Sequence, residues 1–288
     1  MKIVSLFSGA GGFDLGFVQA GHEIIWANDI VKDCGETYKR NLGDHFVLGN
    51  IKEIPASQIP DCDAVIGGFP CQGFSQANMR KTITDERNGL YLEFVRVVKE
   101  KKPKYFVAEN VRGLVSHDNG RVFHELIESF SKIGYKVDYK IFNAADFGVP
   151  QNRFRVIIIG VREDCFNGSF PFPTPTHAKE PDMFRHKWVT IKEALSEIPD
   201  PDGDHNLKNH LYSKYKVTDR NFTGHRKTDP NKPSPTILAK DTGGNVAVHH
   251  PNNHRRVSVR ESATLQTFPL DYEFVGALGS MYRQIGNA

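Results

Sequence analysis

Apolar positions in the first part of the chain switch between two spacings. Lys2–Phe7 is a short apolar run that passes through Gly9, Gly11 and Gly12 into a helical stretch ending near Gly21. Glu23–Asn28 and Asp63–Ile66 predict two more strands, the second closed by Gly67 and Gly68. Leu90, Phe94, Val97 and Val98 share a helical face, and Lys104–Ala108 follows Pro103 as a strand. Val122, Phe123, Leu126, Ile127, Phe130 and Ile133 repeat the helical face up to Gly134, before two further strands at Tyr135–Phe142 and Phe154–Val161. Strands alternating with helices predict an α/β fold built on a doubly wound sheet.

The pattern breaks near residue 170. Most of the prolines and histidines fall between Pro171 and His254, where the one clear helix signal is the capping box Thr190-Ile191-Lys192-Glu193. A second capping box, Ser258-Val259-Arg260-Glu261, marks a return to helix. The expected organisation is a core domain over 1–171, a small loop-rich domain over 172–255, and a return to the core over 256–288. The final Tyr282–Ala288 stretch does not read as a finished helix.

Composition narrows the class. With 39% hydrophobic and 25% charged residues in 288, the chain is neither disordered nor fibrous. No apolar run approaches the roughly 18 residues of a membrane span, and the N-terminus turns into glycines rather than a cleavage site. Cys34, Cys62, Cys71 and Cys165 lack the paired spacing of metal sites or disulfide scaffolds, which suits a reduced, cytoplasmic enzyme with no metal. A net charge of +3 permits a nucleic-acid partner without demanding one.

Three clusters carry chemistry. Phe7-Ser8-Gly9-Ala10-Gly11-Gly12 sits between a strand and a helix, where glycines let a backbone turn approach a ligand. Asp29 ends the next strand, where a carboxylate can accept from ribose hydroxyls. A dinucleotide fingerprint would place Gly or Ala at position 14, and Asp14 stands there, which favours a nucleoside such as S-adenosylmethionine. A plain tight turn with a strand-end Asp is the alternative. Cys71 follows Gly67-Gly68-Phe69-Pro70 just past a strand, the edge where ligands of open α/β sheets gather. Once ionised, its thiol can attack an electrophilic carbon; a buried inert cysteine is the alternative. Glu109 ends another strand, where its carboxyl can bond or protonate a heterocycle. Arg153 and Arg155 alternate before the next, with phosphate, a base carbonyl or the Glu109 carboxylate as partners, or as plain surface charges.

Together the motifs resemble the C5-cytosine DNA methyltransferases of bacterial restriction–modification systems. The resemblance rests on Phe7–Gly12, Gly68-Phe69-Pro70-Cys71-Gln72-Gly73-Phe74-Ser75, Glu109-Asn110-Val111, Gln151-x-Arg153-x-Arg155, Arg260–Pro269 and Gln284–Ala288, in family order. It implies a Rossmann-like S-adenosylmethionine-dependent fold, with 172–255 as the target-recognition domain. Cys71 would attack C6 of a flipped cytosine, Glu109 would hold the N3/N4 edge, and Arg155 would contact O2 with Arg153 in support. For the cofactor, the resemblance implies Phe7, Gly9, Ala10, Gly11, Gly12, Asp29, Ile30, Asn50, Ile51, Pro70, Leu90, Asn287 and Ala288. Asn50 replaces the family's usual Asp, and Ser5 stands where Asp is common.

Gln72 and Ser75 match the loop that closes over the base. Thr236, Lys240 and Asp241 are the expected base-reading neighbourhood, and Arg255 and Arg256 the expected phosphate contacts. The implied partners are double-stranded DNA and a cognate restriction endonuclease, with the enzyme monomeric. Family members continue beyond Gly-Asn-Ala with an amphipathic helix, so the expectation is a sequence lacking the family's last helix, with weakened cofactor binding. Rival readings are a tRNA cytosine-5 methyltransferase on the same scaffold and a non-catalytic DNA-binding accessory protein.

Overall fold

The computed structural model describes residues 1–70, 89–214, 228–239, 250–251 and 255–288. Along these residues run β1 (Lys2–Leu6), α1 (Gly12–Gln19), β2 (Glu23–Asp29), α2 (Lys32–Asn41), β3 (Phe46–Leu48), β4 (Ala64–Gly67), α3 (Leu90–Lys101) and β5 (Tyr105–Val111). Then come α4 (Gly113–Ser116), α5 (Arg121–Ser131), β6 (Tyr135–Asn143), β7 (Phe154–Arg162), β8 (His177–Ala178), β9 (His186–Lys187), α6 (Ile191–Ala194), α7 (Val259–Leu265) and α8 (Leu278–Asn287).

The first seven strands form one sheet in the order β3-β2-β1-β4-β5-β7-β6. Both faces are covered, which is why β1 reads as a continuous apolar run rather than an alternating one. Ile3 belongs to the core under one face, with Ile24, Tyr38, Phe46 and Ile66. Its neighbour Val4 belongs to the other, with Phe94, Phe106, Phe130, Val156 and Ile158. That second core is aromatic at its centre, where Phe106 stacks on Phe130 with ring centroids 4.1 Å apart.

The α/β expectation holds, and the sheet is mixed. β1 to β5 pair in parallel, whereas β7 runs antiparallel between β5 and β6. The reversal positions the chemistry: the start of β7 lies beside the end of β5, with Arg155 opposite Val111 and Ile157 opposite Glu109. Residues far apart in sequence therefore meet at the edge where β1, β4 and β5 end.

Several elements escape the pattern reading, α2, β3 and the tail among them. α2 is almost wholly polar, and its buried face consists of Cys34, Gly35, Thr37 and Tyr38. β3 is three residues long. The tail is a helix after all: in α8 Met281, Tyr282, Gln284, Ile285 and Gly286 are buried. Both capping boxes form, Thr190 and Ser258 each accepting from the Glu amide three residues on while that Glu side chain accepts from the cap's own amide.

The loop-rich region does not stand apart. Ile191 and Ile237 share a core with Val257, Val259, Leu265, Phe268, Tyr272, Met281 and Ile285, and with Ala10 of the glycine loop. The fully buried Arg260 secures this module by donating to the carbonyls of Lys208, Pro269 and Tyr272. A line drawn between 255 and 256 thus crosses a shared apolar core.

Candidate active site

The glycine loop follows β1 through a run of left-handed residues. Phe7 (φ 55°), Gly9 (φ 54°) and Gly11 (φ 84°) lie in this region, which for a phenylalanine is strained. The strand expected to reach Phe7 accordingly stops at Leu6. The glycines have different neighbours. A Cβ on Gly9 would meet nothing within 4 Å, so that face of the loop is open. A Cβ on Gly12 would lie 2.7 Å from the Ala288 Cβ and 2.9 Å from Phe268, so Gly12 permits close packing with the end of the chain. Ala10 is buried, and its carbonyl accepts from the Tyr272 hydroxyl.

Asp29, at the end of β2, accepts from the amides of Gly9 (2.9 Å) and Val31 (2.9 Å), which ties the loop to the strand. Burial pushes its carboxyl above the ordinary range, against those two bonds. Beside it, Ile30 is 66% exposed, an aliphatic side chain presented to solvent at the sheet edge. Asn50 caps the short 3-10 turn Ile51–Glu53 by accepting from the Lys52 amide, and Ile51 is buried in the core. Leu90 and Phe7 pack on the same core as Ile51, half-buried. Asn287 is exposed, while Ala288 is partly covered. The open face at Gly9, the Asp29 carboxylate and the exposed Ile30 are chemically suited to a nucleoside: a backbone approach, a hydroxyl acceptor and an apolar face.

Asp14 belongs to the layer beneath. It is fully buried and accepts from the Ser5 hydroxyl (2.7 Å) and the Tyr38 hydroxyl (2.7 Å). With no cation among those partners, burial raises its pKa to about 6. Ser5, the departure noted at that position, is one of the donors that satisfy Asp14.

At the end of β5, the Glu109 carboxylate pairs with the Arg155 guanidinium at 2.6 Å, both side chains about one-quarter exposed or less. Gly68 lets them sit there, since a Cβ on it would lie 3.1 Å from Glu109 Oε2. The neighbouring Asn110 is buried, and its amide donates to the carbonyl of Phe69 at 3.0 Å. That bond fixes β5 to the segment leading through Pro70 to Cys71. The sequence reading gives Asn110 no role of its own, although it stands in the Glu109-Asn110-Val111 block. Cys71, Gln72 and Ser75 lie outside the described residues, as do Lys240 and Asp241.

The whole chain, residues 1–288, matches the family model for the C-5 cytosine-specific DNA methylase. The protein belongs to that family. It is 41% identical to the Type II methyltransferase M.NgoFVII of Neisseria gonorrhoeae, over all of this chain and 82% of the relative. It is 38% identical to the Type II methyltransferase M.MthTI of Methanothermobacter thermautotrophicus, over all of this chain and 93% of the relative. Among solved structures, an Escherichia coli prophage protein described as a DNA modification methyltransferase superposes with a TM-score of 0.75 at 26% identity, covering 100% of this chain and 94% of the other.

Some of this methylase's expected DNA contacts are engaged elsewhere. Arg255 is 9% exposed, and its guanidinium grips both carboxylate oxygens of Glu261, at 2.7 and 2.8 Å. It braces the start of α7, which corrects the expectation that it reaches DNA phosphate. Arg256 is buried as well. The Thr236 hydroxyl donates to the Asn152 carbonyl at 2.6 Å rather than standing free. Arg153 is buried and donates to the carbonyls of Ile237 (3.3 Å), Gly286 (3.2 Å) and Ala288. Burial pulls its pKa down to about 9, which leaves it charged at neutral pH. Among the described residues no group of His, Cys, Asp or Glu is placed to hold a metal ion, and no helix is long and apolar enough to cross a membrane.

Proposed function

We propose that this methylase modifies C5 of a cytosine flipped out of duplex DNA, using a covalent bond between the Cys71 thiolate and C6. The observation that carries the reading is the Glu109–Arg155 pair at 2.6 Å, at the sheet edge to which Asn110 tethers Phe69, two residues before Cys71 in the sequence. Cytosine C5 is too weak a nucleophile to take a methyl group unaided. Attack at C6 makes an enamine, and Glu109 supplies the proton or hydrogen bond at N3 that lets the ring accept the electrons. Arg155 orients that carboxyl and offers its remaining N–H groups to O2. S-adenosylmethionine supplies the electrophilic methyl group. Phe7, Gly9, Asp29, Ile30, Leu90 and Pro70 are the residues that would hold it, with Asn50, Ile51, Asn287 and Ala288 at the margin. A base then removes the C5 proton, and the Cys71–C6 bond breaks to restore the thiolate.

The ring is attackable only once unstacked, so the target base must leave the duplex. We assign 172–255 to target recognition, with Lys240 and Asp241 as the base-reading neighbourhood, Thr236 anchoring the strip before them through its bond to the Asn152 carbonyl, and Gln72 and Ser75 in the closing loop. The reading includes a monomer working beside a cognate restriction endonuclease. Radiolabelled methyl transfer to unmethylated duplex DNA and to tRNA tests the substrate: DNA should be the acceptor, and preferential labelling of tRNA would overturn it.

A further inference from the structure

Outside the reacting groups, a set of buried polar contacts surrounds Gln151 and Arg153. Gln151 is completely buried. Its Oε1 accepts from the Ile237 amide at 3.0 Å, and its Nε2 donates to the Leu265 carbonyl at 3.3 Å. Around it the backbone of 150–152 is stitched to Ser234. The Ser234 amide donates to the Pro150 carbonyl and the Asn152 amide to the Ser234 carbonyl, both at 2.8 Å, and Gln151 and Ser234 form a parallel bridge. The Thr236 hydroxyl adds its bond to the Asn152 carbonyl. Arg153 reaches across to Ile237 and to Gly286 in α8. On the far side, a Cβ on Gly286 would lie 2.4 Å from the backbone of Leu238 and Ala239, so α8 presses directly on the same strip.

The strip 234–239 is thus held between two walls, and one of them continues into the catalytic strand. Gln151, Arg153 and Arg155 fall at every second position, the period that keeps side chains of an extended chain on one face. The first two grip the strip, and the third pairs with Glu109.

We propose that Gln151 and Arg153 are positioning residues that hold 234–239, the strip leading into the base-reading neighbourhood, in fixed register with Arg155. One stretch of chain then sets both where the DNA is read and where the flipped base is activated. This rests on the function proposed above. Sub-ångström placement is what recognition and catalysis both require, and it comes from the shell behind the contacting groups.

The test uses the full chain and the variants Gln151→Ala and Thr236→Val. The methylated consensus is first read by bisulfite sequencing of unmethylated genomic DNA treated with the parent enzyme. Three duplexes follow: the consensus site, the same site with one flanking base changed, and the consensus with the target cytosine opposite an abasic position, where it is unpaired and costs less to flip. In Gln151→Ala the rate ratio between consensus and changed site should fall at least about tenfold. kcat/KM on the fully paired consensus should fall by a similar factor, while kcat/KM on the unpaired-target duplex falls less and S-adenosylhomocysteine affinity changes little. Thr236→Val should shift the ratio in the same direction by a smaller factor. An unchanged ratio with equal losses on all three duplexes would overturn the proposal and leave a scaffold role alone. If Gln151→Ala does not fold, the Thr236→Val ratio decides. A parent inactive on every cytosine DNA would overturn the functional reading itself; an active parent with unaltered variant ratios overturns only the positioning role.

Discussion

Asp14, in the first turn of α1, and Glu109, in β5, are both carboxylates packed at the central sheet, and their surroundings give them opposite roles. Asp14 has no exposed surface and is satisfied by the hydroxyls of Ser5 and Tyr38. The Tyr38 hydroxyl also lies 3.1 Å from His45 Nε2, which carries the chain of contacts towards the surface. Glu109 keeps about a quarter of its side chain exposed and faces the Arg155 guanidinium. A carboxylate buried against neutral donors serves the packing of the loop above it. One that retains an open face and a cationic neighbour can meet a substrate. Residue type alone does not separate the two; burial and partner charge do.

The comparison predicts unequal consequences. Glu109→Gln keeps size and shape but removes the acid, so kcat should fall by about 10²–10⁴. Its stability should move by about 0.5 kcal/mol or less, as befits a partly exposed site. Single-turnover methylation and thermal unfolding measured side by side check this, and comparable losses in DNA affinity and kcat would reduce Glu109 to a structural role.

Asp14→Asn should show the reverse. The raised pKa means that the folded protein holds this proton more tightly than the unfolded chain does. Below about pH 4 both states carry it. Between about pH 4 and 6 the folded state alone does, so this contribution to stability is lost as pH rises through that window. A shift from the usual value near 4 to about 6 corresponds to about 3 kcal/mol. Denaturant unfolding from pH 4 to 7 should therefore show that slope in the parent and lose it in Asp14→Asn, with kcat at neutral pH within about threefold of the parent. The same pH slope in both proteins would mean that Asp14 is ionised throughout.

A smaller effect marks a third carboxylate, Glu261, which serves both the Ser258 cap and Arg255. Ser258→Ala removes the hydroxyl that accepts from the Glu261 amide (3.0 Å) and lies 2.8 Å from His210 Nδ1. It should destabilise the protein by about 1–2 kcal/mol. Calorimetry of the variant measures that; a loss under about 0.3 kcal/mol would show that the Arg255–Glu261 pair holds α7 without the cap.

Local rules recover what is local. The glycine loop, the strand-end positions of Asp29 and Glu109 and both capping boxes follow from spacing and residue type, and the structure contains each of them. The direction of β7 does not, because hydrophobic alternation is the same read either way. With it goes the meeting of Arg155 and Glu109, although those charges identify each other as candidates. α2 is missed because its buried face is a narrow stripe around Tyr38 within an otherwise polar segment. Arg255 is misread because its sequence context, rich in His and Arg, suggests a basic surface. The carboxylate that takes its charge lies six residues on, inside a helix that must first fold. Gln151 shows the same limit, since its partners at 237 and 265 are brought to it by tertiary packing alone.

Covalent activation at Cys71 is the claim on which these assignments converge. Duplex DNA in which 5-fluorocytosine replaces the target base tests it directly, because the fluorine blocks the final removal at C5 and traps the bond to C6. With S-adenosylmethionine present, the parent protein should form a protein–DNA complex that survives denaturing electrophoresis, and Cys71→Ala should form none. A preparation that methylates ordinary DNA yet gives no such complex, or a Cys71→Ala variant that still gives one, would contradict the account.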